Sequence, residues 1–485
     1  MSSPTKPQYQ HYVPRFILRY FGTDVQPYRV FQSDGHSGYL SVVEPSSAIR
    51  KRSQPQRINI YYVKERKLVL ASELGKRQYK ESINRNYGIM DMYVDRNHPD
   101  PNHIEKKFSE LESSAAKVVQ LVVNAGRETV SRSKHLLTVN MERRQLNILR
   151  KFLFTMTYRN SHRASQFCED NFDPPTQRDI NIHVLQNMTN KQAKGREVWL
   201  QNIQEFLDTP VWEIPYNRKI FVHDRFEYGT ELRKRRLIFW QISDHQNEFI
   251  MCDTGFGFFD GFGMPMSISA GMPAHMLGFL EPHMDPSNLD PSSRLSSAGD
   301  GGVFIWLRVF PVSPHLVLVL VNGSLANNDQ PALEYFQRFG PPSRFHDFPF
   351  PKVMPTEYRG LSRKAQDALK RGDLNTLCGV PNMLEQRRQR IENGEIFPPT
   401  YIDGKVMESR EDDVFHFPIA QLTTKQVQLV NGLFLENAKD SLTFRSPESL
   451  YRSIRAYEKE PLWCNGRDYK ELKRSLRTIL QEKRA

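Results

Sequence analysis

The residues of this chain best suited to chemistry stand close to its start. His11 precedes an expected helix that begins at Pro14, and Arg15 and Arg19 follow it at i+4 and i+8. Arg15 and Arg19 therefore share one helical face. A helix start offers free N–H groups and the positive end of the macrodipole, so a His and an Arg beside it suit a phosphate or a carboxylate. The competing reading has His11 hydrogen-bonded within the core while Phe16, Leu18 and Phe21 pack. Asp253 is the second candidate. It closes an expected strand, Glu248–Cys252, and opens the triplet Asp253-Thr254-Gly255. An aspartic protease needs two carboxylates that share one proton. No second Asp-Thr-Gly or Asp-Ser-Gly occurs in the chain, which argues against that reading.

Other chemistry finds less support. The glycines Gly255, Gly257, Gly261 and Gly263 miss the dinucleotide spacing by one residue and are interrupted by Phe256, Phe258, Phe259 and Phe262. They read as a glycine-rich turn packed by aromatic rings. No GxxxxGK[ST], HExxH or GxSxG occurs, and no cofactor is specified. Cys168, Cys252, Cys378 and Cys464 lie far apart, and the fourteen histidines show no zinc-ligand spacing. That pattern points to a reducing compartment rather than a disulfide scaffold.

The elements that must position these residues follow from periodicity. A short helix is expected over Pro14–Phe21, with Pro14 at its first position. Strands are expected at Tyr28–Gln32, Tyr39–Val43 and Ile58–Val63, and a charged helix at Glu65–Ile83. The clearest element is Asn102–Gly126, where Ile104, Phe108, Leu111, Ala115, Val118 and Val122 recur at spacings of three and four. Asn102 and Glu105 suit a capped start, and Gly126 a stop. A second helix is expected over Asn140–Phe167 and a third around Trp199–Leu207. The period then changes. Leu237–Ile242 and Glu248–Cys252 read as two strands joined by a polar turn, and Val303–Phe310 and His315–Val321 as two more. Glu281–Gly302, made largely of Pro, Ser, Asp and Gly, reads as a flexible insertion. From Arg359 onward the pattern is again helical.

Composition sets the frame. The chain has 485 residues, 39% hydrophobic and 25% charged, within the globular range. Its net charge of +12 is uneven: residues 1–160 carry 27 Lys and Arg against 14 Asp and Glu. A basic first third suits nucleic acid or another polyanion, unless it is simply a solvated face. No apolar run approaches the roughly 18 residues that span a bilayer. Met1–Tyr12 carries no apolar signal-like segment, so a soluble protein of the cytoplasm or nucleus is expected, with no membrane partner.

Several segments in order resemble a known family. His11-Tyr12-Val13-Pro14-Arg15 with Leu18-Arg19-Tyr20-Phe21 is similar to the opening of the family catalogued as "domain of unknown function 4238". Tyr87–Tyr93, Glu105–Glu112, Arg150–Phe154 and Tyr158-Arg159-Asn160 resemble its fungal members. Cys252-Asp253-Thr254 and Pro311-Val312-Ser313-Pro314 match two later motifs, the former with Cys and Thr where the family has Ser and Asn. The resemblance spans about residues 11–325 and implies no established activity.

An α+β fold is expected. Helices from the first 210 residues pack on a mainly antiparallel sheet built from residues 237–321, and residues 326–485 form a mostly helical extension. Two functions stay open. One is a hydrolase acting on an anionic, phosphodiester-type substrate. There His11 serves as general acid or base, Arg15, Arg19 and Arg159 hold the anion, and Asp253 orients the His or binds a divalent metal. The other is a non-catalytic protein whose basic N-terminal region binds nucleic acid or an acidic protein.

Overall fold

Residues 237–242 and 316–321 are runs of apolar residues with little polar alternation, which suits strands buried on both faces. The computed structural model places them in β6 (Arg235–Ile242) and β11 (Leu316–Asn322), in the middle of an eight-stranded sheet. It describes residues 8–22, 58–71, 87–128, 137–159, 161–253, 258–264, 280–282, 302–351, 354–357, 400–402, 405–407 and 414–482, with short gaps within the longer stretches. The sheet runs β12 (Met354–Glu357), β15 (Val414–Leu422), β6, β11, β10 (Gly302–Ser313), β8 (Phe258–Met264). β5 (Leu137–Glu142) adds to β15, and β9 (Leu280–Pro282) to β10. Every pairing is antiparallel except β15 with β6, which is parallel.

Alternation along these strands feeds two cores. Leu237, Phe239, Leu316, Leu318 and Leu320 face one side. They share it with residues of α2 (His103–Glu128), α3 (Arg143–Tyr158), α4 (Ser161–Cys168), α5 (Pro174–Asn187) and α6 (Gly195–Asp208). Ile238, Trp240, Val317, Val319 and Val321 face the other, against the C-terminal helices Thr424–Asn437, Pro447–Tyr457 and Lys470–Glu482. The molecule is an α+β fold with helices on both faces of the sheet.

A four-stranded sheet stands beside this core, in the order β3 (Lys67–Val69), β2 (Asn59–Tyr62), β16 (Ser441–Phe444), β7 (Met251–Cys252). Two ribbons complete the strands among the described residues: β13 (Thr400–Ile402) with β14 (Lys405–Met407), and β1 (Tyr9–His11) with β4 (Gly88–Met90). The second ribbon carries His11 into α1 (Arg15–Tyr20). β4 approaches β1 so closely that a Cβ on Gly88 would lie 2.5 Å from the Gln10 carbonyl oxygen.

Several sequence expectations change. Residues 67–69 of the expected charged helix form β3, because β2 offers a pairing edge. The expected helix Asn140–Phe167 resolves into the end of β5, then α3 and α4. α5 had not been anticipated. Leu237–Ile242 and Glu248–Cys252 do not form a hairpin, since β6 pairs with β11 and β15 while β7 pairs with β16. The expected glycine turn is partly strand β8. The extension 326–485 supplies β12 and β15 to the large sheet and β16 to the small one, so both sheets draw on both halves of the chain. The expected strands Tyr28–Gln32 and Tyr39–Val43, most of the insertion Glu281–Gly302 and residues 358–399 lie outside the described residues.

Candidate functional site

His11 ends β1 and is buried, at 7% exposure. The strand is held by its neighbours: the Tyr93 N–H donates to Gln10 Oε1 at 2.5 Å, and the Tyr12 N–H to the Tyr87 carbonyl at 2.8 Å. Pro14 then turns the chain into α1, whose first residue, Arg15, is exposed. Arg15 Nε donates to His11 Nε2 at 3.2 Å. An accepting Nε2 fixes the ring as neutral, with its proton on Nδ1. Arg19 is also exposed, one turn further along α1.

Arg159, just past the end of α3, ties this segment to α2. Its side chain is 1% exposed. Nε donates to the Tyr93 hydroxyl at 3.1 Å, Nη1 to Glu112 Oε1 and Nη2 to the His11 carbonyl. Its guanidinium carbon lies 4.2 Å from the centre of the Phe108 ring, a cation–π arrangement. Burial opposes the charge, but Tyr93 and Glu112 outweigh it and hold Arg159 protonated. With all three nitrogens committed inside the protein, Arg159 fixes the His11 backbone against α2.

Glu105 and Glu112 stand seven residues apart on α2, hence on one face, on either side of Phe108. Glu105 Oε2 is enclosed and has no hydrogen-bond partner. Burial pushes its carboxyl above the usual carboxylate range. Arg159 pulls it back, Glu112 pushes it up again and Arg15 lowers it. His11, Arg15, Arg159, Glu105 and Glu112 are thus one cluster built by β1, α1, α2 and α3. A neutral imidazole, a carboxyl raised by burial and an exposed guanidinium form a set suited to proton exchange beside an anion.

Asp253 takes a different place. It is buried at 3% exposure, and its Oδ1 accepts the N–H groups of Lys439 and Ser441, each at 3.0 Å. Its own N–H donates to the Ser441 carbonyl at 3.0 Å. Burial raises the Asp253 carboxyl, while these N–H groups lower it. Its charge is felt by Tyr12 and Tyr87. Asp253 therefore joins β7 to the turn before β16, and these bonds run to that turn rather than to His11. Lys151, part of the basic α3, donates Nζ to the Leu207 and Thr209 carbonyls at 2.7 and 2.9 Å and caps the end of α6. Among the described residues no group of three or more His, Cys, Asp or Glu is placed to hold a metal ion. No described helix is long and apolar enough to cross a membrane.

The sequence reading placed Glu105 only at a helix cap. The signal for more was present: Glu105 and Glu112 border the apolar stripe at Ile104, Phe108 and Leu111. A carboxylate at the margin of a buried face needs a partner.

The family model described as "Protein of unknown function (DUF4238)" matches residues 9–448, and the chain belongs to that family. The match runs well beyond residue 325 and takes in β15 and β16. No curated protein and no solved structure matches the chain.

Proposed function

We propose that this family member hydrolyses an anionic, phosphodiester-type substrate at the cluster of His11, Arg15 and Glu105. The observation that carries the reading is Glu105, an enclosed carboxyl raised by burial, with one oxygen unpartnered and with Arg15 as an electrostatic neighbour. A carboxyl raised by burial is suited to protonate a leaving group.

In the free protein Arg15 occupies the lone pair of His11 Nε2. A phosphate that draws the exposed Arg15 guanidinium into a two-point contact releases that nitrogen. His11 then takes a proton from water as the water oxygen attacks phosphorus. The bond to the leaving oxygen breaks, and Glu105 supplies its proton. The products are a phosphate monoester and an alcohol, and the imidazolium proton returns to Glu105 through solvent. Arg19 extends the cationic face, while Arg159 and Asp253 position the segments around the site.

The test is hydrolysis of bis(4-nitrophenyl) phosphate and of short oligonucleotides. Glu105→Gln and His11→Gln should each lower kcat by about 10²–10⁴, the usual range for a lost acid or base. Both should melt near the wild-type temperature. Arg15→Gln should act mainly on KM. No wild-type turnover on any of these substrates, or full activity in Glu105→Gln, overturns the reading. Salt-sensitive retention of an oligonucleotide without turnover would transfer it to a polyanion-binding protein.

A further inference from the structure

A cleft of about 350 Å³ opens elsewhere, between α5 and residues 218–225. Asp179, His183 and Asn187 line it from the helix, and Arg218, Ile220, Val222 and Arg225 from the facing segment. Its size falls near the lower end of small-molecule sites. His183 is buried at 5% exposure and sits edge-on to Phe221, with ring centres 5.7 Å apart. Asn187 Nδ2 lies 3.3 Å from His183 Nδ1. An amide nitrogen only donates, so Nδ1 accepts and the ring proton is on Nε2. That Nε2 is enclosed and has no hydrogen-bond partner. A buried N–H without an acceptor costs free energy until something supplies one.

The charges point to the nature of that acceptor. Neither Arg218 nor Arg225 forms an ion pair among the described residues, and the one carboxylate in the lining, Asp179, lies 3.9 Å from Arg178. Burial and then Arg218 lower Arg225, and burial and then Arg225 lower His183, so cationic groups crowd a partly closed space. The lip is apolar: Ile182 and Val222 are each 44% exposed.

We propose that this cleft binds an organic phosphate monoester. Its phosphate meets Arg218 and Arg225 and accepts the His183 Nε2 proton, and its organic part lies on Ile182, Ile220 and Val222. A bare phosphate would satisfy the cations but leave the apolar lip uncovered. The site is separate from the His11 cluster and does not depend on the reaction proposed there.

Calorimetric titration with phenyl phosphate tests it, with inorganic phosphate and phenol as the other arms. Phenyl phosphate should bind more tightly than either, and Arg218→Gln and Arg225→Gln should each weaken it about tenfold or more, as expected for a lost charged contact. Arg218 is exposed, so its replacement leaves the fold intact. In ¹⁵N-histidine spectra the His183 Nε2 signal should shift on binding. Absence of binding at millimolar phenyl phosphate, or equal affinity in the arginine variants, overturns the proposal. So does a His183 signal that stays still while the ligand binds.

Discussion

At the residue scale, the side chains best placed for chemistry are those whose bonding is incomplete, and those whose bonding is complete serve structure. Arg159 and Asp253 show the difference. From the sequence each was a site candidate, because charge and motif position are all that a string of letters reveals. Folded, each is enclosed and committed, Arg159 to Tyr93, Glu112 and the His11 carbonyl, Asp253 to the 439–441 turn. Partners 47 to 188 residues away in the chain cannot be seen from local spacing. Asp253 supports a pH prediction. Its carboxyl is raised in the folded state, so the proton is held more tightly there than in the unfolded chain. The stability this contributes is full below the unfolded value and is lost as pH rises through the folded one. Asp253→Asn has no such titration and keeps an acceptor oxygen. Thermal melts should therefore show the wild type gaining on Asp253→Asn as the solution is acidified from neutrality. A difference that is constant with pH contradicts this.

At the scale of elements, periodicity was legible where one face alone is buried. α2 follows the expected stripe within a residue or two at each end, and Ile104, Phe108, Ala115, Val118 and Val122 are all buried. Leu111, on the same stripe, is only partly buried at the edge of the core. The boundary between β5 and α3 was not legible. Leu137, Val139 and Met141 alternate as a strand should, but no Gly or Pro separates them from the helix. Glu142 instead begins the helix by pairing its N–H with Gln145 Oε1 at 2.9 Å. Phe108 is the residue where packing and site meet, since its ring supports Arg159. Phe108→Ala should cost about 3–5 kcal/mol and Leu111→Ala distinctly less, as burial dictates. Chemical denaturation of the two variants measures both, and equal losses would mean that α2 buries a different face.

At the scale of the whole molecule, the C-terminal part completes the N-terminal part. β15 lies between β5 and β6, with Ile419 opposite both Leu137 and Phe239. β16 joins β2 to β7. Local patterns distinguish helices from strands but do not reveal which distant strands pair, so the extension, helical over Thr424–Asn437, Pro447–Tyr457 and Lys470–Glu482 as expected, also supplies strands to both sheets. A chain ending at residue 325 would expose the edges of β5 and β6 and the apolar face of Trp240, Val317 and Val319. It should fail to fold cooperatively. Adding residues 326–485 as a separate polypeptide should restore a soluble complex with native-like near-ultraviolet circular dichroism. A truncated chain with a sharp thermal transition of its own contradicts this account of the sheet.

Glu105, whose carboxyl burial raises, is the residue on which the proposed anion site turns. Carbon-13 NMR of glutamate-labelled protein, assigned with Glu105→Gln, measures it directly. Glu105 should titrate above the usual carboxylate range in the free protein. Dimethyl phosphate should raise it further, because the anion adds negative charge and draws Arg15 away, and this second rise should vanish in Arg15→Gln. An ordinary titration of Glu105, unmoved by dimethyl phosphate, contradicts the claim.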